Sequence, residues 1–121
     1  MPKKYQTNYQ LLDCGQQEKL EKFGEIIIRR PAPQATWQPL LPPDIWKQYA
    51  ARYHDKTGNW QILPQTRLPN FEFNQLALNL RFSAKRQLGV FPEQMPNWQW
   101  LQNYLADLSS PLEIFNGFAY T

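Results

Sequence analysis

The stretch Gly89–Leu101 reads GVFPEQMPNWQWL. Gly89-Val90-Phe91 is short and extended. Pro92 follows, and a proline, with its fixed φ and no N–H to lose, suits the first turn of a helix. From Glu93 to Leu108, residues Trp98, Leu101, Leu105 and Leu108 recur three or four apart, so the spacing predicts an amphipathic helix. Ser109-Ser110-Pro111 breaks it. The terminal run Glu113–Thr121, EIFNGFAYT, is apolar from Ile114 to Tyr120 apart from Asn116 and Gly117, and it reads as a further strand.

Upstream, strands dominate. Asn70–Ser83 (NFEFNQLALNLRFS) alternates with period two. Phe71 and Phe73 come first; Leu76, Leu78, Leu80 and Phe82 then share one face, and Asn74-Gln75 is the hairpin turn between them. Glu25–Arg30 (EIIIRR) holds three consecutive β-branched residues and stops at Pro31. Tyr9–Asp13 is a short strand running into a turn at Cys14-Gly15. Gln16–Phe23 (QQEKLEKF) places Leu20 and Phe23 at helical spacing and reads as one or two helical turns closed by Gly24. Pro43–His54 reads as a helix, with Asp44 in its first turn and Ile45, Trp46, Tyr49 and Tyr53 at helical spacing. Asp55–Asn59 is a turn by its chemistry, and Trp60–Leu63 is the next strand. The order predicts an α+β protein: a small β-rich domain of antiparallel strands over 1–84, then the start of a second unit over 85–121.

Composition narrows the function. A chain of 121 residues is sized for one domain. Five Trp, six Tyr and seven Phe supply an aromatic core. Eleven prolines gather in RRPAPQ, QPLLPPD and ILPQTRLPN, which limits helix. A net charge of +3 permits contact with a polyanion without pointing to one. The lone Cys14 rules out an intrachain disulfide and fits a reducing cytoplasm. MPKKYQTNYQ has no apolar h-region, so no signal peptide is expected, and no window is apolar enough to span a membrane.

Little in the residues speaks for chemistry. One Cys and one His do not make a zinc site without several carboxylates, so no metal is expected. His54, beside Asp55, reads as a surface histidine. The sequence contains no G-x-S-x-G elbow, no P-loop and no G-x-G-x-x-G loop. Trp37, Trp46, Trp60, Trp98 and Trp100 with scattered Lys and Arg form either a base-stacking surface or the packing of a small proline-rich core.

Two motifs carry a resemblance. Arg86, Gly89, Phe91, Pro92, Glu93, Gln94, Asn97, Trp98 and Trp100 form the first; Asn116, Phe118, Ala119, Tyr120 and Thr121 form the second. Tyr9–Gly15, Glu18–Gly24 and the run Arg30-Pro31-x-Pro33-Gln34-Ala35-x-Trp37 extend the match upstream. The chain resembles class I S-adenosylmethionine-dependent methyltransferases related to the ribosomal large-subunit RNA cytosine methyltransferases. The resemblance implies that the terminal strand is the first of a Rossmann-like sheet, incomplete here, and that S-adenosylmethionine is the cofactor. Phe91, Pro92, Glu93 and Gln94, with Phe118, Ala119, Tyr120 and Thr121, are the implied cofactor-binding residues. A glycine loop follows that strand in the family, since only glycine lets backbone approach the cofactor so closely. This sequence stops one residue before it, and Gly117 stands where the family tends to have a bulky apolar residue. The expectation is a methyltransferase front end, truncated at the cofactor loop, without catalytic residues and inactive alone. Its expected partners are a complementary methyltransferase chain or a second copy, a homodimer joined through the C-terminal end. Weak RNA contact is the other possibility. A non-enzymatic RNA- or protein-binding module is the alternative reading.

Overall fold

The computed structural model describes residues 5–117. Five strands form one sheet in chain order: β1 (Tyr9–Gly15), β2 (Glu18–Phe23), β3 (Ile26–Pro31), β4 (Ala51–His54) and β5 (Asn59–Ile62). Neighbours are antiparallel except β3 and β4, which run parallel. A parallel pair needs a crossover rather than a tight turn. The proline-rich segment 32–50 supplies it and contains the single-turn helix α1 (Pro43–Trp46). A second, two-stranded sheet pairs β6 (Phe71–Phe73) with β7 (Leu76–Leu78). A 3₁₀ turn over Pro92–Gln94 leads into α2 (Met95–Ala106). This is the mixed α+β domain expected, with its C-terminal helix.

The core lies against one face of the five-stranded sheet. Phe23, Ile28 and Ala51 of the sheet pack with Phe71 and Phe73 of β6, Leu88 and Val90 of the following segment, and Met95 of α2. Aromatic rings in the core meet edge to face or tilted. Tyr9 lies 5.1 Å from Phe23, and Trp98 lies 6.2 Å from Phe71 and 5.3 Å from Phe73, by ring centroids. Trp98 is thus the peg by which α2 holds the sheet.

Several expectations are corrected. Gln16–Phe23 is not helical: residues 18–23 are β2, the strand hydrogen-bonded on both sides, to β1 and β3. Leu20 and Phe23, three apart, project to opposite faces of β2, and each face is covered, so both are fully buried. Gln16 and Gln17 form the hairpin turn, with φ of 49° and 64°. Positive φ at both central residues is the twist-matched hairpin geometry. The helix expected over Pro43–His54 ends at Trp46, whose indole Nε1 donates to buried Asp13 at 3.0 Å. Residues 51–54 instead become β4, completing ladders with β3 and β5.

The Asn74-Gln75 hairpin turn forms as expected, but its strand ends at Leu78. Leu80 and Phe82 reach the core from irregular backbone. The helix expected from Glu93 begins at Met95, and its Leu101 and Leu108 are exposed rather than packed inward. Residues 111–117 form no strand, and no neighbouring described strand offers them a ladder partner. The rest of the expected terminal strand, Phe118–Thr121, lies outside the described residues.

Gly15 marks a close approach. A Cβ there would lie 2.5 Å from the backbone nitrogen of Pro39. Gly15→Ala should therefore push the crossover off the sheet and lower stability by about 2 kcal/mol or more. Phe71→Ala, a buried ring deletion, should cost about 3–5 kcal/mol. Urea unfolding of the two variants checks both.

Candidate functional site

The segment singled out by the resemblance sits at the polar end of the core-facing sheet surface. Phe91 is half-buried, Pro92 is buried, and Glu93 and Gln94 are exposed. Phe91 is extended, at φ −111° and ψ 93°, and its carbonyl accepts from the Gln94 amide at 3.0 Å, which closes the 3₁₀ turn. The backbone leading into it is held by side chains from the sheet. Trp60 Nε1 donates to the carbonyls of Ser83 and Lys85, and Arg30 Nη1 donates to the carbonyl of Arg86 at 3.2 Å. Leu88 and Val90 are pegged into the core between these anchors and Phe91.

Arg30 belongs to a buried charge cluster. The Glu21 side chain is fully buried and that of Arg30 nearly so. Arg30 meets Glu21 through Nε and through Nη2, the latter at 3.1 Å. Tyr9 Oη donates to Glu21 Oε2 at 2.7 Å, and Lys19 Nζ lies 3.7 Å from the same oxygen. Burial alone would raise the Glu21 pKa, but the Arg30 hydrogen bonds and charge, with help from Lys19 and Tyr9, outweigh it and hold the carboxyl below its ordinary value. Burial raises the Tyr9 pKa, and the adjacent Glu21 carboxylate raises it further. Arg30 is held above its ordinary value despite burial, because Glu21 bonds and balances it.

Two openings adjoin the cluster and share Lys19 and Glu93. The smaller, about 90 Å³, lies between Lys19, Arg30, Arg86, Phe91 and Glu93. The larger, about 340 Å³, runs along Tyr9, Leu11, Trp37 and Pro92. Trp37 is half-exposed and fixed in place, its Nε1 donating to the Cys14 carbonyl at 3.0 Å. Small-molecule sites usually enclose roughly 300–1,000 Å³. The smaller opening cannot enclose S-adenosylmethionine and the larger is an open groove, so the residues around these two fit a bordering role.

The opposite sheet face serves structure. Glu18 accepts from both Arg29 and Arg52, with distances of 2.7–3.2 Å, and Arg29 lies over the Trp46 ring at 5.2 Å. Asp13 accepts from the amides of Cys14, Leu40 and Leu41 and from Trp46 Nε1. Burial opposes its ionisation, but those hydrogen bonds prevail and lower its pKa. The His54 imidazole Nε2 lies at the surface, 2.8 Å from Gln61 Oε1. Among the described residues, no cluster of His, Cys, Asp and Glu could hold a metal. None of their helices is long and apolar enough to cross a membrane. The tryptophans do not form one stacking surface: Trp46 is buried on Asp13, Trp60 and Trp98 line the core, and Trp37 and Trp100 are exposed.

Sequence reading brought Phe91–Gln94 to the fore but missed Tyr9, Lys19, Glu21 and Arg30. The signal lay in reading residues 18–23 as a strand, which turns Lys19 and Glu21 to the core side with Arg30. Phe118, Ala119, Tyr120 and Thr121 lie outside the described residues.

No protein-family model matches the sequence, and no curated protein matches it. A solved structure does: a SAM-dependent methyltransferase from Agrobacterium tumefaciens, 32% identical over 87% of this chain, with a TM-score of 0.69. The chain spans 35% of that protein's length. Identity and superposition together support a relationship to S-adenosylmethionine-dependent methyltransferases, the general kind the two motifs implied.

The two depressed carboxylates have a consequence for stability. Their ordinary values are 4.5 for Glu21 and 3.8 for Asp13, and both are lower in the folded protein. Unfolding therefore takes up protons in acid. The stability they contribute is full above the ordinary values and is lost as pH falls through the folded ones. Denaturant midpoints should hold steady down to about pH 5 and then decline. Asp13→Asn should flatten that decline while lowering stability at neutral pH.

Proposed function

We propose that this chain is the N-terminal part of an S-adenosylmethionine-dependent methyltransferase, and that Phe91–Gln94 border the methionine end of the cofactor. The likeness to the Agrobacterium methyltransferase over most of the chain carries this reading. The family division follows with it: residues 1–84 as a β-rich domain, and 85–121 as the start of a methyltransferase domain whose first sheet strand is the terminal run. The cofactor, when bound, supplies an activated methyl group. The role of this chain is to present Phe91, Pro92, Glu93 and Gln94 at one wall of the pocket. A dinucleotide-type crevice is built from several parallel strands. The described residues contain one parallel pair, β3 and β4, and a single pair builds no such crevice. Methyl transfer therefore needs an α/β body in addition. The acceptor class that the resemblance implies is RNA in the cytoplasm; a net charge of +3 supports only weak binding of RNA by this chain alone.

The exposed side of α2 and the residues after it supply the docking surface for that body. Trp100, Leu101 and Tyr104 are exposed on the helix, and Leu108, Leu112, Ile114 and Phe115 beyond it, with Phe115 93% exposed. Trp100 and Tyr104 stack at 5.3 Å with planes 8° apart. Large apolar side chains exposed on one helix and the segment after it suit an interaction site.

Titration with S-adenosylmethionine by calorimetry tests the reading. The chain alone should not bind, and addition of the α/β body of the Agrobacterium methyltransferase as a separate chain should restore binding. No binding in either case would favour the RNA- or protein-binding module. Leu101→Glu with Tyr104→Glu should leave the thermal midpoint within a few degrees, because both side chains are exposed, yet abolish pairing with that body. Light scattering should show a monomer when the body is absent; a homodimer that the double variant dissociates would instead make a second copy the occupant.

A further inference from the structure

The Tyr9–Glu21–Arg30 cluster is costly. Each buried ion loses several kcal/mol of solvation, and exchange of a buried pair for apolar residues is often neutral or stabilising. Its use must therefore be sought in what it holds. Glu21 takes up two of the three guanidinium nitrogens of Arg30, and Tyr9 donates to the Glu21 oxygen shared with Nη2. The third nitrogen, Nη1, is thereby aimed away from the sheet, and it donates to the carbonyl of Arg86. Arg86 opens the irregular segment that ends in Phe91–Gln94, which lies in no strand ladder. Leu88 and Val90 pack into the core, and the Gln87 and Leu88 carbonyls accept from Ser83 Oγ at 2.7 Å and from the Arg81 amide at 3.0 Å, partners that themselves lie in irregular backbone; the Arg30 bond ties the segment to a strand of the sheet. The same guanidinium lines the small opening that Phe91 and Glu93 border.

We propose that Arg30 is a positioning residue: braced by Glu21 and Tyr9, it fixes the backbone at Arg86 and so sets where Phe91, Glu93 and Gln94 stand. The consequence for cofactor binding rests on the methyltransferase reading; the consequence for backbone order does not.

Two variants test this. Arg30→Lys keeps the charge but loses the planar fork, so it cannot engage Glu21 bidentately and reach Arg86 at once. Glu21→Leu combined with Arg30→Met removes the pair without leaving a lone buried charge. Backbone amide order parameters are measured along the chain. Residues 86–91 should fall from about 0.85 towards 0.6 or below in both variants, with β2 and β3 unchanged. Order at 86–91 equal to that of the unaltered protein, in either variant that folds, overturns the proposal. Loss of order spread evenly over the sheet also overturns it, since that marks a structural role alone. Affinity for S-adenosylmethionine, measured with the α/β body present, is read separately. A tenfold or greater loss in Arg30→Lys is expected. If the unaltered chain never binds the cofactor but its segment still loosens in the variants, positioning stands and the methyltransferase reading falls.

Discussion

The carboxylate of Glu21 is the joint on which the core side of the sheet depends. It sits on β2, inside the sheet, and bonds to Tyr9 of β1 and Arg30 of β3. One anion therefore ties three strands together on the core side. Through Arg30 it also reaches the Arg86 carbonyl, some sixty residues further along the chain. Its burial is tolerable because Arg30, Tyr9 and Lys19 surround it. No buried polar side-chain atom among the described residues lacks a partner. An unpaired carboxylate here would be neutral rather than charged, and the strands would lose their common acceptor.

Asp13 does the equivalent work on the other face. Its oxygens gather the amides of Leu40 and Leu41 and the indole of Trp46, so the crossover from β3 to β4 folds back over the sheet. That cover buries Leu20. Both sides of β2 are thus closed, one by the aromatic core and one by a proline-rich crossover pinned to a carboxylate. In a chain this short, such pinning substitutes for a second layer of helices. Gly15 is the steric condition for it, because the crossover backbone passes where a side chain would stand.

The proposed function rests on the two unlike sides of α2. The sheet, crossover and core form a closed unit, while α2 buries Trp98 and Met95 on one side and shows Trp100, Leu101 and Tyr104 on the other. A helix satisfied on one side only belongs to two layers. The proposed α/β body of a methyltransferase would cover that second side; the similar Agrobacterium methyltransferase is much longer than this chain.

Some of this was written locally in the chain. EIIIRR is a strand by side-chain branching, Asn74-Gln75 turns a hairpin, and a helix follows Pro92; each depends only on near neighbours. Phe91–Gln94 stood out by motif. The strand β2 did not, because both of its faces are covered and Leu20 and Phe23 then mimic a helical spacing; nor did β4, whose Tyr53 continues the helical spacing of Ile45, Trp46 and Tyr49. Nor did the Tyr9–Glu21–Arg30 cluster. Three polar residues spread over 22 positions meet only when the registers of β1 with β2 and of β2 with β3 are set. The sequence by itself determined the class, several elements and the kinship. The tertiary structure alone decided which charges are buried and what they hold, because burial and register are properties of assembled strands and not of any one segment.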